Sequence, residues 1–206
     1  MKSSPLIPRA ERHSRGKLPH WEAGEAAQAV TFGLADALPR AVVQAIISEV
    51  VPTQRRERFE AMLDAGRGAA FLKDPRAAGI VQEAFPHFDA GRYRLHAWCV
   101  MPNHVHVLFT PNEGVSLSSL IHSWKSFTAK AINAALDRTG TLWREEYFDR
   151  AIRGDEHYAD TLAYIENNPV KAGLAAPVED WPWSCASRGA RPGTADFQSA
   201  CNSNPN

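Results

Sequence analysis

The chain has 206 residues, of which 44% are hydrophobic and 22% are charged, and this balance is typical of an ordinary globular protein. The 23 Lys and Arg residues equal the 23 Asp and Glu residues in number, which argues against a protein that coats nucleic acid through bulk charge alone. No apolar run approaches the roughly 20 residues of a membrane helix, so no membrane partner is expected. Three cysteines without a C-x-x-C pair, and an N-terminus unlike a secretory signal, predict a cytoplasmic location.

The composition divides the chain into three predicted regions. Residues 1–19 hold five basic residues and a single acidic one, which predicts a basic flexible arm or, in the sharper interpretation, an arm that contacts phosphates. Residues 20–187 carry the apolar patterns of one folded domain. Residues 188–206 are rich in Gly, Ser, Asn and Pro, which predicts a disordered tail.

The first half of the folded region is predicted to be a strand followed by helices. Alternating apolar residues predict a strand over 28–34. An apolar stripe predicts a helix over 41–51, which Pro52 should end or kink before a helical segment over 55–63. A short helix is expected over 75–85, after a break that contains two glycines.

The second half is predicted to be a hairpin followed by two helices. Two strands are expected over 93–100 and 104–110, with a tight turn between them. A helix should begin after Ser116, a good N-cap, and another should run over 155–167 until Pro169 ends it. This order predicts the α+β class, with an antiparallel sheet and helices packed on it.

The most informative residues are two histidines in the predicted hairpin. His104 and His106 are two residues apart on a strand, so both imidazoles project to one face. Such a pair can direct two nitrogen ligands at one metal ion, although two polar residues on an exposed face explain the pair equally well. A catalytic metal site needs further ligands, and His122 and His157 are candidates.

The last predicted helix carries two tyrosines on different faces. At about 100° per residue, Tyr158 falls on the apolar stripe with Leu162 and Ile165. Tyr164 and Asn168 share a second, polar face one turn apart. This spacing predicts that Tyr158 packs in the core and that Tyr164 is available for chemistry. A tyrosine of an ordinary amphipathic helix explains Tyr164 alone, but less well when it accompanies the two histidines.

Four segments resemble a known family of DNA-processing enzymes. MPNHVHVL at 101–108 is similar to the HUH motif of single-tyrosine transposases of the insertion-sequence type, in which two histidines flank a hydrophobic residue. LWREEYFDR at 142–150, YIENNPVKAGL at 164–174 and DWPWS at 180–184 resemble the REP-associated tyrosine transposases. The resemblance covers about residues 17–187, and chance explains separated motifs in the same order poorly.

This resemblance implies a fold, a metal site and a reaction. The fold would be a ferredoxin-like α+β domain, the HUH transposase fold, with His104 and His106 on a central strand and Tyr164 as the nucleophile on a later helix. In this family the residue four positions after the tyrosine completes the metal site, which here is Asn168. Two imidazoles and an amide oxygen suit Mg²⁺ or Mn²⁺. The tyrosine would attack a DNA phosphodiester and form a 5′-phosphotyrosine, so that strands are cleaved and rejoined.

The resemblance also implies a partner, single-stranded DNA whose palindromic repeats fold into hairpins. The protein would then associate with the nucleoid when it binds DNA, with a monomer favoured and a dimer as the alternative. Candidate DNA contacts are basic residues of the arm and of one helix, and a tryptophan with its neighbouring arginine. They are Arg12, Arg15, Lys17, Lys125, Lys130, Trp143 and Arg144. Core packing is the more common role of such a tryptophan, and a solvated helix face explains the lysines equally well.

Two other functions stay open on the sequence. One is a hairpin-DNA-binding protein without catalysis that derives from a transposase. The other is a metallohydrolase that uses the two histidines with His122 or His157. Replacing Tyr164 by Phe would separate them, because hydrolysis would survive, whereas covalent transfer would be lost and DNA binding would remain.

Overall fold

The computed structural model describes residues 11–13, 20–22, 26–49 and 51–187. Strand β1 (Glu11–His13) pairs antiparallel with β2 (His20–Glu22), so a strand lies within the predicted arm and precedes the first strand expected from the sequence. The rest of the arm and the predicted tail at 188–206 lie outside the described residues.

Four strands form the main sheet, and each pairs antiparallel with its neighbours. They are β3 (Gln28–Gly33), β4 (Tyr93–Val100), β5 (His104–Pro111) and β6 (Phe148–Ala151). Their order across the sheet is β4-β5-β3-β6, with helices between β3 and β4 and between β5 and β6. This is the split β-α-β-β-α-β topology of ferredoxin-like folds and confirms the predicted fold class.

Five α-helices complete the described structure. They are α1 (Arg40–Ile47), α2 (Pro52–Asp64), α3 (Pro75–Ala84), α4 (Leu117–Ala135) and α5 (Asp155–Lys171). None of these helices is long and apolar enough to cross a bilayer.

The strand register decides which side chains share the face that carries the histidines, here called the histidine face. Thr31 of β3 stands opposite His106 of β5, so both project to this face. Alternation along β3 adds Ala29, and Arg150 of β6 stands opposite Ala29. Helices α2 and α5 cover this face. Phe59 of α2 packs on Phe148 of β6, with ring centroids 4.0 Å apart, and Tyr164 of α5 packs on His106 of β5.

The opposite face of the sheet packs on α3 and α4. Trp124 of α4 meets the rings of Tyr93 and Phe109 edge to face, at 5.1 and 5.0 Å between centroids. Ser116 caps α4 as the sequence predicts, because its side chain accepts a hydrogen bond from the N–H of Ser119. The sheet is therefore buried on both faces, and its histidines lie inside the protein.

Helix α5 continues past the proline that was predicted to end it. Pro169 lies within the helix, which runs to Lys171. A proline so near the end of a helix removes only one internal hydrogen bond, and the turn after it is closed by the N–H of Leu174, which donates to the Pro169 carbonyl at 2.8 Å. Gly173 supports this turn with a φ of 69°. The prediction was wrong here, and Asn168 lies inside the helix, one turn after Tyr164.

The segment after α5 covers part of the outer edge of β4. The N–H of Val100 donates to the Trp183 carbonyl at 2.8 Å, and the N–H of Cys185 donates to the Trp98 carbonyl at 3.1 Å. The indole N–H of Trp181 donates to the Val100 carbonyl at 3.0 Å. These bonds satisfy backbone groups that an edge strand otherwise leaves unpaired.

Candidate metal and nucleophile site

The two histidines of β5 are buried and point at one another. His104 is 1% exposed and His106 is 2% exposed, and their Nε2 atoms are 2.9 Å apart. Nδ1 of His104 lies 2.7 Å from Oδ1 of Asn103, and Nδ1 of His106 lies 3.0 Å from Oγ1 of Thr31. Contacts of this kind orient metal-binding histidines through the ring nitrogen that does not bind the metal. Burial also removes the interpretation of the pair as polar residues on an exposed face.

The amide of Asn103 is held in the orientation that this arrangement needs. Its Nδ2 donates to the carbonyls of Leu63 and Arg67, at 3.0 and 3.1 Å, so Oδ1 faces His104. The Nδ1 of His104 is then the protonated nitrogen, and Nε2 keeps its lone pair. Burial, with the neighbouring His106, lowers the pKa of His104 well below the ordinary 6.5. Both effects favour the neutral imidazole that a metal ion requires.

Two oxygen donors from helices lie beside the imidazoles. Oδ1 of Asp64, the last residue of α2, is 3.6 Å from Nε2 of His104. The amide of Asn168 on α5 approaches Nε2 of His106 at 3.2 Å through Nδ2. Oδ1 of Asp64 and Oδ1 of Asn168 are both buried, and neither has a hydrogen-bond partner among the described residues. Rotating the Asn168 amide by half a turn would place its oxygen beside His106.

These donors fit a divalent cation. The ligand atoms of Asp64, His104 and His106 all lie within 4.8 Å of one another. Adjacent ligands at about 2.1 Å from an octahedral ion are roughly 3 Å apart, close to the separation of the two Nε2 atoms. Nitrogen and oxygen donors without sulfur suit a hard or borderline cation. The unpartnered oxygens gain a partner if a cation binds between them and the imidazoles.

Asp64 was not predicted from the sequence. It lies on another element, far from His104 along the chain, and only the packing of α2 on the histidine face brings the two together. One local signal exists, because a carboxylate in the last turn of a helix meets the negative end of the helix dipole and is locally unfavourable. Burial raises the pKa of Asp64, and Lys171, with Nζ 3.8 Å from Oδ2, opposes that rise.

Helix α5 places Tyr164 beside the same cluster. Its ring meets the ring of His106 edge to face, with centroids 5.5 Å apart. The hydroxyl is buried and makes no hydrogen bond of good geometry within the described residues, with Asn168 and Glu60 as its polar neighbours. Burial raises the pKa of Tyr164 above the ordinary 10, and the charges of Glu60 and Asp64 raise it further. The phenol is therefore neutral in this state, and nearby positive charge is needed to stabilise the phenolate.

Tyr158 occupies a different place on α5. Its ring packs edge to face on His96 of β4, with centroids 5.4 Å apart. The structure thus brings Tyr164, Asn168, His104 and His106 together and leaves Tyr158 as a packing residue.

The predicted lysine contacts to DNA differ in accessibility. Nζ of Lys125 donates to the carbonyls of Arg144 and Glu145, at 2.9 and 3.0 Å, and burial lowers the pKa of Lys125 to about 8. This lysine joins α4 to the segment before β6 and does not lie on a solvated face. Lys130 is exposed. The side chains of Arg12, Arg15 and Lys17 lie outside the described residues.

The side chains of Trp143 and Arg144 make contacts within the protein. Trp143 is 5% exposed, its indole N–H donates to Oγ1 of Thr128 at 2.8 Å, and its ring packs on Phe32. The guanidinium of Arg144 donates to the carbonyls of Ala35, at 3.2 Å, and Leu38. In this conformation the tryptophan offers no ring face to an unpaired base, because both faces are enclosed by protein.

Replacing Trp143 by Ala is expected to lower the free energy of unfolding by about 3–5 kcal/mol, the cost of deleting a buried aromatic side chain. Urea denaturation monitored by circular dichroism measures this change. Lys130→Ala, on the exposed face of α4, is the control and should change stability by no more than about 0.5 kcal/mol. A Trp143→Ala variant of unchanged stability with impaired DNA binding would contradict the core assignment.

The other two histidine candidates lie outside the metal cluster. His122 is exposed on α4. Nδ1 of His157 accepts a hydrogen bond from the N–H of Arg153 at 3.0 Å, at the start of α5. In the part of the chain that the structure describes, the group able to hold a metal is completed by Asp64 and not by a third histidine. A metallohydrolase with His122 or His157 as a ligand is therefore not supported.

Comparisons with known proteins find transposases among the proteins similar to this chain. Residues 74–168, which include both histidines, Tyr164 and Asn168, match the sequence family described as "Transposase IS200 like". The chain is 31% identical over 96 residues to the REP-associated tyrosine transposase of Escherichia coli strain K12, an alignment that covers 47% of this chain and 56% of the relative. It is 29% identical over 102 residues to a Haemophilus influenzae protein named in the same group, covering 45% and 58%. The matched region thus spans little more than half of either relative.

A solved structure shares the fold. It is described as a REP-associated tyrosine transposase bound to a REP hairpin, and it matches with a TM-score of 0.51 at 22% identity, over 95% of this chain and 88% of that one. The sequence family and the two curated relatives therefore confirm the resemblance predicted from the motifs: residues 74–168 match an IS200-like transposase region, and the chain is similar to REP-associated tyrosine transposases in sequence and in fold.

Proposed function

We propose that this protein is a metal-dependent DNA strand transferase that cleaves and rejoins single-stranded DNA at palindromic hairpin repeats. The observation that carries the proposal is the meeting of Tyr164 with a buried pair of imidazoles, since His106 and Tyr164 line the same cavity. We propose that the transposase domain spans residues 20–187. Phosphoryl transfer is catalysed mainly by positioning the reacting groups and by stabilising the developing charge. A nucleophile beside a candidate cation site can provide both.

His104, His106 and Asn168 would hold Mg²⁺ or Mn²⁺, with Asp64 as a fourth ligand. Bound there, the cation would polarise the phosphoryl oxygens and stabilise the negative charge that develops on them. Oxygen ligands from Asp64 and Asn168 favour these hard cations over softer ones. Asn103 and Thr31 support the site by fixing the orientation of the two imidazoles.

Tyr164 would act as the nucleophile. Its phenolic oxygen bonds to phosphorus, the bond from phosphorus to the 3′-oxygen breaks, and the proton lost by the phenol is matched by one gained by the departing 3′-oxygen. The products are a 5′-phosphotyrosine and a free 3′-hydroxyl. Because the phosphoester energy is kept in the covalent link, a second 3′-hydroxyl can attack it, release Tyr164 and rejoin the strands. Lys171, with Nζ 5.5 Å from the centre of the Tyr164 ring, lies where a positive charge favours the phenolate.

The proposed partner is single-stranded DNA that folds into a hairpin. The solved relative is bound to a REP hairpin, and its fold is shared. The protein is proposed to act as a monomer in the cytoplasm and to associate with the nucleoid through its substrate. Lys130 and the basic residues of the arm, Arg12, Arg15 and Lys17, remain the candidate contacts.

The test is covalent trapping. The protein is incubated with labelled single-stranded DNA that carries palindromic repeats, in Mn²⁺, in Mg²⁺ or in EDTA, and the products are resolved on denaturing gels. A metal-dependent adduct of protein and DNA is the expected result. Binding without an adduct in either metal would favour the non-catalytic hairpin-binding protein instead.

Asp64→Asn is expected to weaken Mn²⁺ binding by at least about 10-fold, because residues that only orient the ligands already contribute that much and Asp64 is proposed as a ligand itself. The amide keeps the size of the carboxylate but loses its charge, so the fold is retained. Isothermal titration calorimetry measures the affinity, with Glu57→Gln on the exposed face of α2 as the control for a lost negative charge. Equal affinity of Asp64→Asn and the unmodified protein would remove Asp64 from the ligand set.

A further inference from the structure

A cavity of about 140 Å³ lies beside Tyr164 on the histidine face of the sheet. Ala29 and Thr31 of β3 line it from the sheet, and residues of α2 and α5 line it from above. The methyl group of Ala29 fills little of the space between the two helices. The cavity is therefore a place where a group of the substrate can approach Tyr164 and His106 together.

Arg150 lines the same cavity from the edge strand β6. It stands opposite Ala29 in the register, so its side chain is on the histidine face, and it is partly buried. A guanidinium presents several N–H donors in one plane, which match two oxygens of a phosphate at once.

The charges around the cavity make phosphate binding conditional. Glu60 and Asp160 also line it, and their two formal negative charges exceed the single positive charge of Arg150. A phosphodiester is therefore disfavoured there on charge grounds in the protein alone. A divalent cation bound by the two neutral imidazoles and Asp64 adds a net charge of +1 beside the cavity, which offsets the excess negative charge there and favours the binding of an anion.

We infer that Arg150 holds a backbone phosphate of the substrate strand, next to the phosphate that Tyr164 attacks, and that this contact forms when a divalent cation occupies the histidine cluster. The identity of the strand rests on the proposed function, whereas the phosphate contact rests on the cavity and its arginine. Arg150 is thus a positioning residue for the DNA backbone and reads no base sequence.

The test measures binding and not cleavage. A short fluorescein-labelled oligodeoxythymidine is titrated with the protein in Mn²⁺ or EDTA at several salt concentrations, and affinity is read from fluorescence anisotropy. In Mn²⁺, Arg150→Ala should bind more weakly and reduce the slope of log affinity against log salt by about 0.7, the value for one phosphate contact on a single strand. Arg94→Ala, an exposed arginine on β4 that is not among the cavity residues, is the matched control.

Arg150→Lys keeps the charge and loses the planar fork, so it should retain the slope and bind more weakly. If Arg150→Ala does not fold, as judged by circular dichroism, the affinity of Arg150→Lys decides the question. The inference would be overturned if the slope were unchanged in Arg150→Ala, if the affinity were unchanged in Arg150→Lys, or if Arg94→Ala had an equal effect. It would also be overturned if the unmodified protein bound equally well in Mn²⁺ and in EDTA, or did not bind at all. If no covalent adduct forms but Arg150→Ala still reduces the salt slope, the proposed function is wrong and the phosphate contact stands.

Discussion

Replacing Tyr164 by phenylalanine is expected to abolish the covalent adduct with single-stranded DNA, a loss of at least about 1,000-fold, because the deleted oxygen is the atom that bonds to phosphorus. Stability should change by no more than about 0.5 kcal/mol. The hydroxyl is buried and makes no hydrogen bond of good geometry among the described residues, and the nearby Asn168 and Glu60 interact with it only weakly, so its removal costs little stability. Denaturing gels measure the adduct, and urea denaturation measures stability.

Tyr158→Phe is the matched control for this experiment. It removes the same atom from a tyrosine six residues earlier on α5, on a different face of the helix, where the ring packs on His96. Adduct formation should survive in this variant. An adduct that persists in Tyr164→Phe and disappears in Tyr158→Phe would exchange the roles of the two tyrosines. An adduct that persists in both would place the nucleophile elsewhere.

Replacing His106 by alanine is expected to abolish both the adduct and the stabilisation of the protein by Mn²⁺. A metal that binds only the folded state adds about 2.7 kcal/mol of stability at a concentration 100 times its dissociation constant. His106 supplies one of the two imidazole nitrogens of the proposed metal site. Its Nε2 also contacts His104 and Asn168, so the loss of its ring leaves both of these proposed ligands without a neighbour. Thermal unfolding with and without Mn²⁺ measures the difference.

The decisive quantity is the shift that Mn²⁺ causes in each variant, because His106→Ala also leaves a cavity that lowers Tm in the absence of metal. His122→Ala, at an exposed position of α4, is the control and should keep the full shift. A shift in His106→Ala as large as in the unmodified protein would show that the ion binds at another place.

The parts of the site that were predictable from sequence are those set by one element. His104 and His106 share a face because a strand alternates, and Tyr164 and Asn168 are one turn apart because a helix repeats after 3.6 residues. Both relations hold in the structure, even though Pro169 lies within α5. Local periodicity was therefore sufficient to predict that His104 lies beside His106 and that Tyr164 lies one turn before Asn168.

The parts that were not predictable depend on contacts between distant elements. Asp64 reaches the cluster because α2 packs on the histidine face, which no pattern near Asp64 reveals. Strand β6 was missed because four residues without apolar alternation form a strand only when β3 pairs with them. Trp143 and Lys125 were weighed as DNA contacts because composition does not distinguish an exposed side chain from one enclosed by α4 and its neighbours.

The two edges of the main sheet are built in ways that hinder pairing with a strand of another molecule. The two outer strands differ: β6 is only four residues long, and β4 has part of its edge occupied by the segment that contains Trp181 and Trp183. Both are devices by which natural sheets avoid recruiting a strand from another molecule. The tryptophan motif near the end of the domain thus protects the protein against edge-to-edge aggregation. Shortening the chain before Trp181 would expose a long, apolar strand that can template such pairing.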